Sequence, residues 1–194
     1  MNKVTIQSVL NKAREDKFFL VFDTPPIVKP IVRKLERNDT TIIPDSVQFS
    51  IFGTMVPEIT VKATEVRYAG STLYVSSFSK DSYPPVEINF NVDSLYNNYY
   101  VIYQWLNLLH DQYSGVYNQH NIPVDANFND YMTDLTVYGL DEYGKKRISF
   151  TYTKAFPTSL GQIVYDQKGD EGKEISSKFV FVYSQIHVKI LNEA

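Results

Sequence analysis

Cysteine is absent from the sequence, which excludes disulfides, thiolate zinc sites and cysteine nucleophiles. Tryptophan occurs once, and histidine and methionine three times each. No apolar run approaches the ~20 residues of a membrane-spanning helix, so no membrane anchor is expected. The opening stretch, MNKVTIQSVLNKAREDKF, places a charge or amide every few positions and holds no apolar core of the secretory kind. A basic surplus is missing too. Lys and Arg number 19 against 22 Asp and Glu, a net charge of −3, which argues against a dedicated nucleic-acid binder.

What is abundant is aromatic: 15 Tyr and 12 Phe. These side chains favour pleated, half-buried surfaces, so the chain is expected to be mainly β. Its 194 residues, 43% hydrophobic, fit one globular domain that buries roughly 70% of its unfolded surface. Charge is uneven. Residues 1–40 hold eight bases (Lys3, Lys12, Arg14, Lys17, Lys29, Arg33, Lys34, Arg37) and five acids, a net +3. The remaining 154 residues sum to −6. A mildly basic arm precedes an acidic body, either as ordinary surface scatter or as an arm that docks on an acidic neighbour.

Periodicity predicts a short helix over 4–15, then an apolar strand at Lys17–Asp23 that would be buried on both faces. Thr24-Pro25-Pro26 stops it. Residues 24–45 read as an extended loop with one helical turn at Ile31–Arg37. Strands are expected at Val47–Phe52, ended by Gly53, and at 58–68 and 72–78, turning at Ala69-Gly70. Val86–Asp93 alternates cleanly, with Val86, Ile88, Phe90 and Val92 inward. The best helix carries Leu95, Tyr99, Ile102, Leu106 and Leu109 at helical spacing, with Asp93 or Ser94 as its cap. Residues 111–131 read as a second extended loop. Thr133–Leu140 and Lys145–Ala155 form a hairpin around Asp141-Glu142-Tyr143-Gly144, and Phe156-Pro157 is expected to end it. Ile175–Ile190 reads as one long closing strand, with Phe179, Phe181 and Tyr183 on one face. The expected architecture is an antiparallel β-sandwich or barrel with a flanking α-helix, a single domain over 1–194.

Chemical motifs are few. Gly139 to Lys145 imitates the start of a phosphate-binding loop, but Lys146 stands where Ser or Thr must hold magnesium, and strands flank the turn. His110, His120 and His187 show no metal-ligand spacing. No G-x-S-x-G occurs. Asn38-Asp39-Thr40 is a formal glycosylation sequon that carries no meaning without a secretory signal. Twenty-two carboxylates select no glycosidase pair by sequence alone. The residues therefore point to no enzyme, no metal and no cofactor.

The C-terminal half is more specific. Asp134–Asp166 reads DLTVYGLDEYGKKRISFTYTKAFPTSLGQIVYD, and Glu174–Val188 reads EISSKFVFVYSQIHV. This pattern resembles the tail tube proteins of contractile-tailed, T-even-like bacteriophages. The sharpest piece is the turn at Phe156, Pro157 and Gly161; Val47–Pro57, Val86–Leu109 and Trp105 carry the likeness more weakly. The resemblance implies the fold shared by phage tail tubes and secretion-tube rings. It also implies hexameric rings stacked into a tube, a lumen that passes DNA, and an enclosing contractile sheath. Sheath and baseplate proteins would be partners, and the location would be the virion tail, assembled in host cytoplasm.

On that reading Ser149, Thr151 and Thr153 are candidates to line the lumen, opposite an aromatic face. A net-acidic body would let DNA pass without gripping it. Lys12, Arg14, Arg33, Lys34 and Arg37 are candidate contacts to the next ring or the sheath. Removing 24–45 would then leave the subunit folded but stop tube growth. Two alternatives stay open: a baseplate or tube-initiating ring with the same fold, and a glycan-binding β-sandwich that uses the tyrosines for stacking.

Overall fold

The computed structural model describes residues 13–38, 50–80, 82–109, 128–165 and 174–191. Among them are nine strands and three helices, so the chain is mainly β, with every strand pairing antiparallel. Most of the expected helix at 4–15 lies outside the described residues, and residues 13–15 are not helical.

The core starts from alternation. In β5 (Val86–Asn91) every second residue is inward, and Val86, Ile88 and Phe90 are fully buried. β5 pairs with β8 (Ser176–Val182), which contributes Phe179 and Phe181, and on its other side with β2 (Ser50–Thr54). Gly53 does not end β2; a bulge between Ile51 and Gly53 carries the strand on to Thr54. Val47 and Phe49, expected on the same face as Ile51, lie outside the described residues.

β6 (Thr133–Leu140) and β7 (Lys146–Leu160) form the expected hairpin. Gly144 sits at φ +78°, and Asp141 ties the turn by accepting from the amides of Tyr143 and Lys145 and from Arg147. Partial burial works against charge on Asp141, but those donors outweigh it and hold its carboxyl below the usual range.

β7 does not stop at Phe156-Pro157. It runs to Leu160 and changes partners along its length. Its first part lies between β6 and β9 (Gln185–Ile190); its last part pairs with β8. Bulges near 133–135 and at Pro157/Ser159, with Lys154 at φ +53°, mark the bend. Proline is tolerated because, among the described residues, no strand pairs with β7 on its other side there. The expected single closing strand is accordingly two, β8 and β9, broken at Tyr183-Ser184, where the Ser184 amide donates to Thr153 O. Seven strands thus form one continuous sheet, β1-β6-β7-β8-β5-β2 with β9 beside β7, and both parts feed one core.

Among the described residues β1 (Phe18–Phe22) pairs with β6 alone. The expectation that it is buried on both faces is corrected: Phe19 and Val21 are exposed, because β1 is an edge strand with one open face. The extended loop expected at 24–45 is also corrected where it is described, over 24–38: the helical turn expected at Ile31–Arg37 is part of a longer helix, and 39–45 lie outside the described residues. Lys29–Asn38 form α1, which opens with Pro30 in its first turn, where a missing N–H costs nothing. Val28 and Val32, one helical turn apart, are buried in the core. Deleting this segment would remove core, so it is not a dispensable decoration.

α2 (Asn97–Leu109) is capped by Asp93, whose carboxylate accepts from the amides of Asn97 (2.8 Å) and Asn98 (3.1 Å). Its buried face is Asn98, Val101, Ile102 and Trp105, rotated from the expected stripe; Leu95 is exposed and precedes the helix. The Asn98 amide is what turns the face, donating to Asn91 O (2.8 Å) at the end of β5. Trp105 Nε1 donates to Tyr131 O (2.9 Å) and ties α2 to the short α3 (Phe128–Tyr131). The rest of the expected loop at 111–131 lies outside the described residues, as does 166–173.

Candidate assembly interface

Three regions of this frame bear on assembly. The first is the half-sheet β1-β6-β7-β9. Its register places Phe19, Tyr138, Ser149 and Lys189 in one row, and Val21, Thr136, Thr151 and His187 in another. Thr153 sits opposite Gln185. Ser149, Thr151 and Thr153 therefore do share one face, opposite Phe150 and Tyr152, and Tyr152 lies in the core. Thr136 and Thr151 hydroxyls are 3.1 Å apart across the strands. Lys146 joins this face with its ammonium 4.3 Å from the Tyr138 ring centroid and 5.7 Å from that of Phe19. Tyr138, His187 and Lys189 escape a reading of β7 alone, because only the cross-strand register brings them in.

Both ends of this half-sheet are edges. β1 has no strand beyond it among the described residues, and neither has β9. The edges are apolar: Phe19 and Val21 on one, Val188 and Ile190 on the other, all exposed. Edges of this kind invite strand pairing by another chain.

The second surface is the hairpin of β3 (Val61–Tyr68) and β4 (Ser71–Lys80), which among the described residues pair only with each other. It turns, as expected, at Ala69 and Gly70, at φ +50° and +82°. Pairing puts Thr64/Val75, Val66/Leu73 and Tyr68/Ser71 on one face. Glu65/Tyr74 and Arg67/Thr72 lie on the other. The hairpin is amphipathic, yet every described residue of β3 is exposed, and Leu73 is 57% exposed. A two-stranded ribbon is marginal alone in water, so a bare apolar face argues for cover from outside the subunit.

The third is the turn at Phe156, Pro157 and Gly161. Pro157 is buried against β8, and Phe156 makes an edge contact with Tyr131. Gly161 donates to Lys178 O (2.6 Å) and accepts from Tyr99 and Ser177. These residues hold the bend of the sheet rather than an outer surface.

The basic candidates scatter. Arg14 is held by Asp16 in a two-point ion pair, which keeps the Asp16 carboxyl below its usual range. Arg33 is exposed on α1, and Lys34 and Arg37 lie on the same helix. Lys12 lies outside the described residues. Among the described residues the most exposed tyrosines, Tyr68, Tyr74, Tyr143 and Tyr165, lie in three separate places, the β3–β4 hairpin, the β6–β7 turn and the segment after β7, and compose no stacking platform. Among the described residues no cluster could hold a metal, and no helix is long and apolar enough to cross a membrane.

Solved structures share this fold. A chain of the sheath–tube complex of an extracellular contractile injection system (PVC), in the extended state, is 14% identical with a TM-score of 0.59. The match covers 94% of this chain and 95% of that one. The tube-terminating cap of the anti-feeding prophage is 14% identical at a TM-score of 0.58, covering 98% and 100%. A chain of that prophage's baseplate is 12% identical at 0.54, covering 92% and 95%. No curated protein matches. The model of one family, phage tail tube protein, matches residues 13–187, almost the whole chain, and the chain belongs to that family.

Proposed function

We propose that this chain is the structural subunit of a phage tail tube. Six copies join edge to edge into a ring, rings stack, a contractile sheath encloses the stack, and the lumen conducts DNA during infection. The observation that carries the reading is the half-sheet β1-β6-β7-β9, with its two open apolar edges. Joining β1 of one copy to β9 of the next would remove both edges at once and close a barrel. The face with Ser149, Thr151 and Thr153 would line that barrel, since the opposite face feeds the core. The hairpin of β3 and β4 would reach a neighbouring subunit, and the bases on α1 would meet the next ring or the sheath.

A ring at the end of a tube is the second reading. It is favoured by the likeness to the anti-feeding prophage cap, which this chain covers over 100% of its length. Negative-stain microscopy of the purified chain at high concentration, with mass measured in parallel, tests both. Hollow tubes are expected. Single or paired rings that never lengthen would favour the terminal ring, and a monomer under all conditions would sink the subunit reading.

A further inference from the structure

The acidic body of the sequence led to the expectation of a lumen without grip on DNA. The register places charge differently. Across the hydroxyl face of β6, β7 and β9 lie, besides Tyr138, Lys146, His187 and Lys189; Arg147, two residues before Ser149 and opposite Leu191, is ion-paired to Asp141 at 2.9 Å. His187 and Lys189 are exposed. The carboxylate at its margin, Asp134, is engaged by the Lys154 amide at 3.1 Å. Lys146 is held by the Tyr138 and Phe19 rings, an arrangement that leaves its charge intact and fixes its position. Lys146 and Lys189 lie on neighbouring strands, with Lys189 opposite Ser149, three residues beyond Lys146. That offset is roughly 10 Å along the strand. A chain of net charge −3 thus places two lysines and a histidine on the polar face of the sheet that its open edges would extend.

The geometry points to a basic contact band for nucleic-acid phosphates: Lys146 and Lys189, flanked by Thr151 and His187, with Ser149 buried between the strands and its hydroxyl turned to Lys189 O. The inference rests on the tube reading for its place in the lumen, but not for its chemistry. The hydroxyls supply neutral hydrogen bonds, and the two ammonium groups supply a weak, salt-dependent attraction. The face holds few charges per subunit, so it contacts DNA without holding it. Nothing on it reads base edges, and the contact is independent of sequence. Repeated around a ring, the band would centre a polyanion in the channel.

The test is fluorescence anisotropy of a short labelled DNA duplex titrated with the full-length chain at low salt and again at raised salt. Microscopy is run on the same samples. The double variant K146Q/K189Q, the single K189Q and the control R67Q, on the separate hairpin, are compared after thermal melts confirm folding. Wild type is expected to bind at low salt and to weaken as salt rises. Each lysine removed should lower the log–log salt slope by about 0.9, while R67Q leaves it unchanged. No binding at low salt, or equal binding by K146Q/K189Q, overturns the band; rings in the same samples would leave the tube reading standing. Competition by polyglutamate as effective as that by duplex would reassign the face to acidic polypeptide and overturn the phosphate assignment. Lysine-dependent binding with no rings under any condition would support the band and count against the tube.

Discussion

Tyr183 shows how one side chain can be tolerated without being satisfied. Its ring packs against Tyr152 at 4.9 Å and Tyr83 at 5.4 Å, and its hydroxyl is buried with no partner among the described residues. Burial, and then the neighbouring Tyr83, push its phenol up to about 12, against an ordinary value near 10. The folded state therefore favours the neutral phenol. Stability from this group is fully present below pH 10 and is lost as pH rises through about 12, because the unfolded chain ionises first. Removing the hydroxyl removes an unsatisfied group and costs little. Tyr183→Phe should leave stability at neutral pH within about 0.5 kcal/mol of wild type. It should also flatten the fall in melting temperature between pH 10 and 12. A variant destabilised by more than about 1 kcal/mol at pH 7 would mean that the hydroxyl has a partner. Tyr183 was legible in the sequence as part of an alternating aromatic face with Phe179 and Phe181. Its orphaned hydroxyl was not, since satisfaction depends on what surrounds it in space.

Among the elements, what was legible follows from local pattern, and what was not follows from partners. β5 declares itself by strict alternation, and the β6–β7 hairpin by alternation plus Gly144. α1 was legible only as one helical turn at Ile31–Arg37, and its start was missed because Pro30 reads as a breaker, although proline in a first helical turn breaks nothing. β7 was cut short for the same reason: Pro157 forbids a central strand, and nothing local says that the strand has become an edge. The α2 stripe was misread because a buried Asn98 hides inside a face that hydrophobicity alone defines. The element that depends most on close approach is the exit of β7. A Cβ on Gly161 would lie 2.8 Å from Lys178 Cγ and 3.0 Å from Lys178 O. The side chain can swing away, but the carbonyl belongs to β8 and also accepts the Gly161 amide. Gly161→Ala should therefore destabilise the subunit by about 1–3 kcal/mol through a shift of two paired strands. Unchanged thermal or denaturant unfolding would show that the bend is not held there.

For the whole molecule, the question is why a folded subunit leaves so much apolar surface bare. Isolated exposed hydrophobics are ordinary, but here they align: Val66, Leu73 and Val75 on one hairpin face, and Phe19, Val21, Val188 and Ile190 on two strand edges. The subunit core does not need them, since Val86, Ile88, Phe90, Phe179 and Phe181 close it without the hairpin. Covering each hairpin side chain in an assembly would contribute about 1 kcal/mol, since each is roughly half exposed beforehand. One such contact is weak, but a ring repeats it in every subunit. The triple variant V66T/L73T/V75T places β-branched Thr at all three positions, so the ribbon itself remains compatible with strand geometry. It should unfold at the same temperature as wild type, because none of the three packs in the core, yet fail to form rings or tubes at concentrations where wild type assembles. Calorimetry read beside microscopy separates the two effects. Loss of assembly with melting unchanged places the hairpin between subunits. Assembly intact with melting unchanged would leave the strand edges alone to hold the ring, and a lowered melting temperature would return the hairpin face to the subunit's own core.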